Sequence, residues 1–389
     1  MAGPTTVSAG GTGVERRPSN TEAPVLPEHD GACVSRLMAP LVDPAEEWPS
    51  FLPACARGAE QVVLLVLDGL GWNQLCDRTA LTPTLAAMDG GAITTVAPST
   101  TATALTSIAT GMSPGEHGVI GYRIAVGRSV LNVLRWSVDG RDAHGTIPPA
   151  TVQSHEPFLG QRPVVITRAE FADSGFTRAH LDRTRLRGWR VSSSIVVEVD
   201  AALRRNEPFV YAYYDGIDKI AHEFGLGPHY DAEVVAADRL VADILAVLPP
   251  GAVLVVTSDH GQVDVGDDLV VPDPAVLSHV DLQSGEGRFR WLHARPGRAR
   301  GLCDAATDLH SDRAWVVTRE QVVDEGWLGP HVTDEVRARL GDVALVSRDT
   351  AAFVDPADGG SIRLVARHGS LTADEMYVPL LAATGGRHD

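Results

Sequence analysis

Short runs of apolar and largely β-branched residues recur along the chain: QVVLLVLDG at 61–69, AITTVAP at 92–98, PVVITR at 163–168, PFVYAYYDG at 208–216 and AVLVVTSDHG at 252–261. Unbroken runs of this kind predict strands buried on both faces, as in a parallel sheet covered by helices. Between them, 101–110 and 229–248 carry helical apolar spacing, and Gly111 and the Pro249-Pro250-Gly251 cluster supply stops. Strand alternating with helix predicts an α/β fold.

Two stretches break this rhythm, 113–205 and 265–350, and each is too long for a plain loop, so both are expected as excursions over the sheet. The second holds GRFRWLHA, DRAWVVTR and DVALVSR around a helical 330–340, the pattern of a small α+β subdomain. Residues 1–30 lack periodicity and are rich in Gly, Pro, Ser and Thr, which predicts a flexible tail ahead of one catalytic domain over 31–389. The balance of 33 Lys+Arg against 50 Asp+Glu gives a net charge of −17, a field that argues against nucleic-acid polymers and acidic membranes. No apolar run approaches the ~20 residues of a membrane span, and no leader is readable, so a cytoplasmic protein is expected. Cys33, Cys55, Cys76 and Cys303 have no metal-knuckle spacing and read as core thiols.

Acidic residues follow three of the apolar runs: Asp68, the pair Asp215 and Asp218, and Asp259. In an open α/β sheet the carboxyl ends of the strands share one edge, so these carboxylates should converge. Taken singly, each could as well begin a turn or cap a helix. Asp218 and His222 are spaced to share one helix face, His260 follows Asp259 directly, and His368 lies late in the chain. Three Asp with three His make a mixed oxygen and nitrogen donor set suited to Zn2+, Mn2+ or Fe. In APSTTATALTSIATG, Ser99, Thr100 and Thr101 form a turn before a short helix, placing a hydroxyl at a helix N-terminus that suits a phosphate, although a simple N-cap has the same pattern.

Five ordered segments, VVLLVLDGLG, PSTTATALTSIATGMSPGEHGVIG, YDGIDKIAHEFGLGP, VVTSDHGQ and RHGSLTADEMYVPLL, resemble the alkaline phosphatase superfamily and, within it, the nucleotide pyrophosphatase/phosphodiesterase (type I phosphodiesterase) family. The resemblance implies a three-layer α/β sandwich with a central, mostly parallel sheet, and two divalent metal ions, most often Zn2+. It implies Asp218, His222 and His368 as ligands of one ion, and Asp68, Asp259 and His260 of the other. Thr101 matches the nucleophile, which also binds metal and is transiently phosphorylated or nucleotidylated, with the N–H of Ala102 on the phosphate. Tyr122 stands where these phosphodiesterases usually carry a phosphate-binding asparagine, and Thr100 where many have lysine.

The expected activity is cleavage of a phosphodiester or pyrophosphate bond in a small phosphate ester, with nucleotides among the candidates. A monoester dianion usually needs a cation beside the nucleophile, and Ala102 follows Thr101; Arg123, Arg168, Lys219 or Arg367 would have to reach the site from elsewhere. The alternatives are a phosphomonoesterase or phosphonate hydrolase on the same core, or a non-catalytic anion-binding protein. A sulfatase ranks last, because the arginine of its C/S-x-P-x-R motif is missing.

Overall fold

The computed structural model describes residues 22–43, 45–358 and 364–385. Seven strands form the central sheet: β1 (Gln61–Leu67), β2 (Asp89–Thr94), β3 (Val164–Arg168), β4 (Arg185–Trp189), β5 (Phe209–Tyr214), β6 (Ala252–Thr257) and β7 (Tyr377–Thr384). They lie in the order β2-β7-β6-β1-β5-β3-β4. The five strands from β6 to β4 are parallel, and β7 runs against both of its neighbours. The fold is thus the expected α/β sandwich with a mostly parallel sheet.

Alternation along the strands fills both faces. Leu64, Val66, Tyr211, Tyr213 and Val255 pack with helix α1 (Thr101–Thr110), whereas Val63, Leu65, Ala212, Tyr214 and Val256 pack with α2 (Ser193–Leu203), α3 (Gly216–Phe224) and α4 (Pro228–Val247). Helix α1 ends as its sequence predicts: Gly111, at φ 71°, returns its N–H to the Ser107 carbonyl, a left-handed cap that glycine adopts without a Cβ penalty.

The stretch 265–350 carries the small α+β unit, an antiparallel sheet of Val280–Glu286, Phe289–Ala294, Val343–Ser347 and Ala314–Thr318 packed on a helix over Ala299–His310. The helical part of 330–340 is confined to Asp334–Arg337. The stretch 113–205 leaves the sheet only in its first half, as the ribbons Arg123–Val126, Ser129–Asn132, Ser137–Val138 and Arg141–Asp142, and then returns β3 and β4 to it. Strand β4 escapes notice in the sequence because, as an edge strand, RLRGW buries only Trp189.

Of the tail expected over 1–30, residues 1–21 lie outside the described residues. From Glu22 onward the chain is held to the body: the Val25 N–H donates to the Leu371 carbonyl at 2.8 Å and the Glu28 N–H to Thr94 Oγ1 at 2.9 Å. An extended segment anchored by such isolated bonds has no period to read. All four cysteines are free thiols, and among the described residues no helix is long and apolar enough to cross a membrane.

Candidate active site

The parallel strands deliver their carboxyl ends to one edge, and the antiparallel β7 brings its beginning, with the segment before it, to the same edge. Asp68 follows β1, Asp218 lies in the first turn of α3 after β5, and Asp259 and His260 follow β6. Backbone bonds tie these turns together: the Asp218 N–H donates to the Asp68 carbonyl at 3.1 Å, and the Gly69 N–H to Asp259 Oδ1 at 3.2 Å. Gly69, at φ 77°, is where the turns meet; a Cβ there would lie 3.0 Å from the Asp218 backbone.

Two groups of ligand-type atoms result, Asp68 with Asp259 and His260, and Asp218 with His260 and His368, each within a 4.8 Å spread. His222, expected beside Asp218, points Nε2 at Asp218 Oδ1 from 3.3 Å, and His368 Nε2 lies 3.7 Å from the same oxygen. All six expected ligands are therefore brought together, with His260 between the two groups and its ring stacked on that of His368 at 3.5 Å.

The three histidines share one arrangement. Nδ1 of His222 donates to the Ala366 carbonyl, Nδ1 of His260 to Gly261, and Nδ1 of His368 to Ser99, at 2.8, 3.0 and 3.0 Å. With a proton on Nδ1 assigned by these bonds, each ring turns its Nε2 toward carboxylate oxygens. His260 Nε2 is 3.3 Å from Asp68 Oδ1 and 3.5 Å from Asp259 Oδ2. Both of those oxygens are buried without a hydrogen-bond partner. Burial, then the charges of Asp259 and Asp218, raise the Asp68 carboxyl well above its usual range. Burial, then the neighbouring His260 and His222, hold His368 well below that of a free imidazole. Buried carboxylate oxygens without partners, gathered with three imidazole nitrogens, form a donor set that fits divalent metal ions, and the Nδ1 bonds fit the outer support of metal-bound imidazoles.

Thr101 opens α1, and its Oγ1 lies 3.1 Å from His260 Nε2. Helix geometry leaves the N–H groups of the first turn, Ala102 among them, without an intrahelical acceptor. Tyr122 binds through both ends: its hydroxyl accepts from Asn132 Nδ2 at 2.6 Å, and its N–H donates to Glu286 Oε2 at 2.8 Å. An asparagine amide, carried by the ribbon over Ser129–Asn132, thus sits beside the Tyr122 hydroxyl.

Several participants carry no motif signal of their own. Tyr213 donates its hydroxyl to Asp68 Oδ2, and Gln262 donates from Nε2 to Asp218 Oδ1 at 2.6 Å. Gln262 stands inside the quoted VVTSDHGQ, and Tyr213 could be found only from β5 alternation, which sends Tyr211 and Tyr213 to the α1 face. Glu286 comes from the inserted unit; burial raises its carboxyl to about 8, against the opposing bond from Tyr122.

A cavity opens beside Thr101, lined by Leu105, Phe171, Phe176, His180, Tyr211 and Tyr213 among others, with no Asp, Glu, Lys or Arg in its wall. His180 donates from Nδ1 to the Phe176 carbonyl at 2.7 Å, and burial lowers it to about 4, so it is a neutral acceptor at pH 7. The Tyr211 hydroxyl is buried there without a partner. Among nearby aromatics, Phe176 reaches this cavity, whereas Phe158 packs against Phe209 and Tyr211, and the Tyr214 hydroxyl donates to Glu233. His117 caps a turn, accepting from the Val119 N–H at 3.1 Å.

Of the four cations open to the site by sequence, three are paired. Arg168 and Lys219 both hold Asp215, each at 2.7 Å, and Arg123 holds Asp355 and Asp358. Asp215 is thereby a partner of cations and stands outside both ligand groups. Arg367 makes no hydrogen bond or ion pair with any described residue from its side chain, and its Nε is buried without a partner.

The family pattern for type I phosphodiesterase / nucleotide pyrophosphatase matches residues 62–371, more than half of the chain, and includes every residue of this site. The chain belongs to that family and is a hydrolase of phosphoester bonds. The family depends on divalent metal ions. Its fold is similar to that of murine ectonucleotide pyrophosphatase/phosphodiesterase 5, with a TM-score of 0.64 and 16% identity over 83% of this chain and 88% of that one. An inactive form of the murine protein in complex with AMP matches with the same TM-score and identity over 84% and 88%. Phosphonoacetate hydrolase from Sinorhizobium meliloti 1021, in complex with phosphonoformate, is similar with a TM-score of 0.59 and 18% identity over 86% and 92%. Comparison with curated proteins by sequence gives no match.

Proposed function

We propose that the chain cleaves a phosphodiester or pyrophosphate bond through Thr101, with the organic group of the substrate in the cavity beside it. The observation that carries this reading is the position of the Thr101 hydroxyl, 3.1 Å from His260 Nε2, between the paired carboxylate and imidazole groups and a cavity walled without charge. An uncharged, partly aromatic wall favours an uncharged ring over an ionic group. AMP in the murine relative makes a nucleotide the first candidate. Three of the four candidate cations, Arg123, Arg168 and Lys219, are spent on carboxylates, which favours the singly charged diester over a monoester dianion.

Divalent cations held by the six ligands would neutralise phosphate charge and lower the pKa of a neighbouring hydroxyl. The chain's own part begins with orientation: α1 holds Oγ1 toward the ligand groups, and the free N–H of Ala102 offers a donor to a non-bridging oxygen, where charge accumulates. Thr101 Oγ1 gives its proton to solvent water and forms a bond to phosphorus while the bond to the leaving oxygen breaks, and that oxygen departs with the electron pair. Water then attacks the phosphorus, the P–Oγ1 bond breaks, and the hydroxyl is restored. Gln262 and Tyr213 hold the Asp218 and Asp68 carboxylates in place.

The test is a rate comparison on zinc-loaded protein between bis-p-nitrophenyl phosphate and p-nitrophenyl phosphate, with Thr101→Ala as the blank. Preference for the diester is expected. Preference for the monoester, or turnover that survives Thr101→Ala, overturns the reading.

A further inference from the structure

Thr101 and Leu105 of α1 and Phe176, Thr177 and His180 of the short helix Gly175–His180 line one cavity, so the His180 ring borders the same space as the nucleophile. That short helix is held from both ends. Ser174 caps it, accepting from the Thr177 N–H at 3.0 Å, and Gly175 lies against Trp136, where a Cβ would come within 2.1 Å of the indole ring. In the last turn Gln153 Nε2 donates to the Ala179 carbonyl at 2.7 Å, and the His180 ring stacks on Phe176 with 3.9 Å between ring centroids. An imidazole braced in this way keeps one orientation.

Its two nitrogens differ in what they can do. Nδ1 donates to the Phe176 carbonyl, a group that only accepts, so this nitrogen carries a proton. Burial lowers the ring to about 4 against that bond, so Nε2 has no proton of its own at pH 7 and is an acceptor. No described residue donates to it. Nor is it sealed: unlike the orphan Tyr211 hydroxyl, Nε2 is open to the cavity, although the residue as a whole is only 4% exposed. The polar neighbours are engaged elsewhere. Ser174 Oγ donates to Thr177 Oγ1 at 3.0 Å, and the Tyr213 hydroxyl donates to Asp68. An acceptor left open in a wall made largely of leucine and phenylalanine costs free energy until a molecule in the cavity donates to it. A few such groups in an apolar pocket are what orient a ligand.

We infer that His180 is a specificity-determining residue, accepting a hydrogen bond through Nε2 from an O–H or N–H of the substrate's organic group. This rests on the reading above and deepens it. The cavity takes a group that carries a donor and discriminates against the same group once the donor is methylated. An ether oxygen or a bare hydrocarbon leaves Nε2 unmet, so plain alkyl and alkoxy groups bind poorly there.

The test is calorimetric binding to the metal-loaded Thr101→Ala protein, which needs no turnover. The ligands are methyl aryl phosphodiesters, each with one ring and a singly charged phosphate. Hydroxyphenyl is set against methoxyphenyl, and aminophenyl against dimethylaminophenyl, each as its ortho, meta and para isomers. At least one donor-bearing isomer is expected to bind about tenfold tighter than its methylated counterpart, and the pair that responds names the donor. Adding His180→Phe, which keeps a ring against Phe176, should cut that ratio to about twofold or less. Nitrogen NMR of the Thr101→Ala protein needs no second substitution: His180 Nε2 should be unprotonated at pH 7, and its resonance should move when the preferred isomer is added. No preference in any pair overturns the inference. So does a preference that survives His180→Phe, or an Nε2 resonance that the preferred isomer leaves in place. Failure of the diesterase reading shows elsewhere, as absence of Thr101-dependent turnover of bis-p-nitrophenyl phosphate.

Discussion

A threonine hydroxyl at its ordinary pKa is a poor nucleophile, and what distinguishes Thr101 from the other hydroxyls of its turn is the neighbour it meets. Ser99 donates from Oγ to the Ser370 carbonyl at 2.6 Å, a structural bond, while Thr101 faces His260. The residues with metal-ligand chemistry were legible in the sequence, because Asp and His at strand ends carry their type and spacing openly. Those that hold the ligands were not, because a tyrosine inside FVYAYY looks like any other core aromatic until the strand's facing is known. Tyr213→Phe tests that role: it removes the donor to Asp68 and keeps the ring. Zinc affinity, measured by competition with a chromogenic chelator, is expected to fall about 10- to 100-fold, the usual effect of losing an outer partner of a ligand. Unchanged affinity would reduce Tyr213 to cavity lining.

At the scale of elements, the inserted unit is fastened to the site by one buried ion pair. Arg288, in the turn between Val280–Glu286 and Phe289–Ala294, holds both oxygens of Glu375 and the carbonyls of Asp349 and Ala351. Glu375 in turn accepts from the Ser370 N–H at 2.9 Å and from Thr372 Oγ1 at 2.6 Å, bracing the segment after His368. Arg288→Met leaves that carboxylate buried without its cation and should cost about 3–5 kcal/mol in urea unfolding. A loss below about 1 kcal/mol would mean that the unit is held by packing alone. The parallel strands β1, β3, β5 and β6 were readable as apolar runs, as was much of the inserted sheet. Strands β4 and β7 were not: β4 is a polar edge, and YVPLLAAT, with Pro379 inside it, follows a motif whose histidine draws attention away from a strand.

Across the whole molecule, ionisation couples stability to pH in a defined direction. Burial lowers His180 and His293 from 6.5 to about 4, and His117, burial first and then the charges of His155 and Arg339, to about 3. Each stays neutral in the fold while the unfolded chain takes up a proton below its pKa of 6.5, so stability is lost as pH falls through that value. At pH 5 each costs about 2 kcal/mol relative to pH 6.5 and above. Glu286 acts with the opposite sign: its carboxyl, raised from 4.5 to about 8, keeps its proton in the fold while the unfolded chain loses it. Its contribution therefore drains away as pH rises from 4.5 to 8, and over the interval from pH 5 to 6.5 it offsets about 2 kcal/mol. Three histidines outweigh one carboxyl, so the urea midpoint of metal-loaded protein should rise between pH 5 and 6.5, and a flat profile would contradict their buried neutral state.

The convergence of the ligands belongs to this scale as well. Segments around residues 68, 101, 218, 259 and 368 meet because parallel strands share one edge and one antiparallel strand begins there. That much followed from the sequence pattern. The cavity did not, since it is assembled from α1, β5 and the segment around 171–181, which share no motif.

The central claim is that Thr101 attacks phosphorus, and the most direct measurement is of the adduct itself. Zinc-loaded protein is mixed with bis-p-nitrophenyl phosphate, quenched in acid within the first turnovers, and its peptides are mapped by mass spectrometry. The account predicts release of p-nitrophenol together with a p-nitrophenyl phosphoryl group on Thr101, absent from the Thr101→Ala protein. An adduct on Thr100 or Ser99, or steady turnover with no adduct at any time, would contradict it.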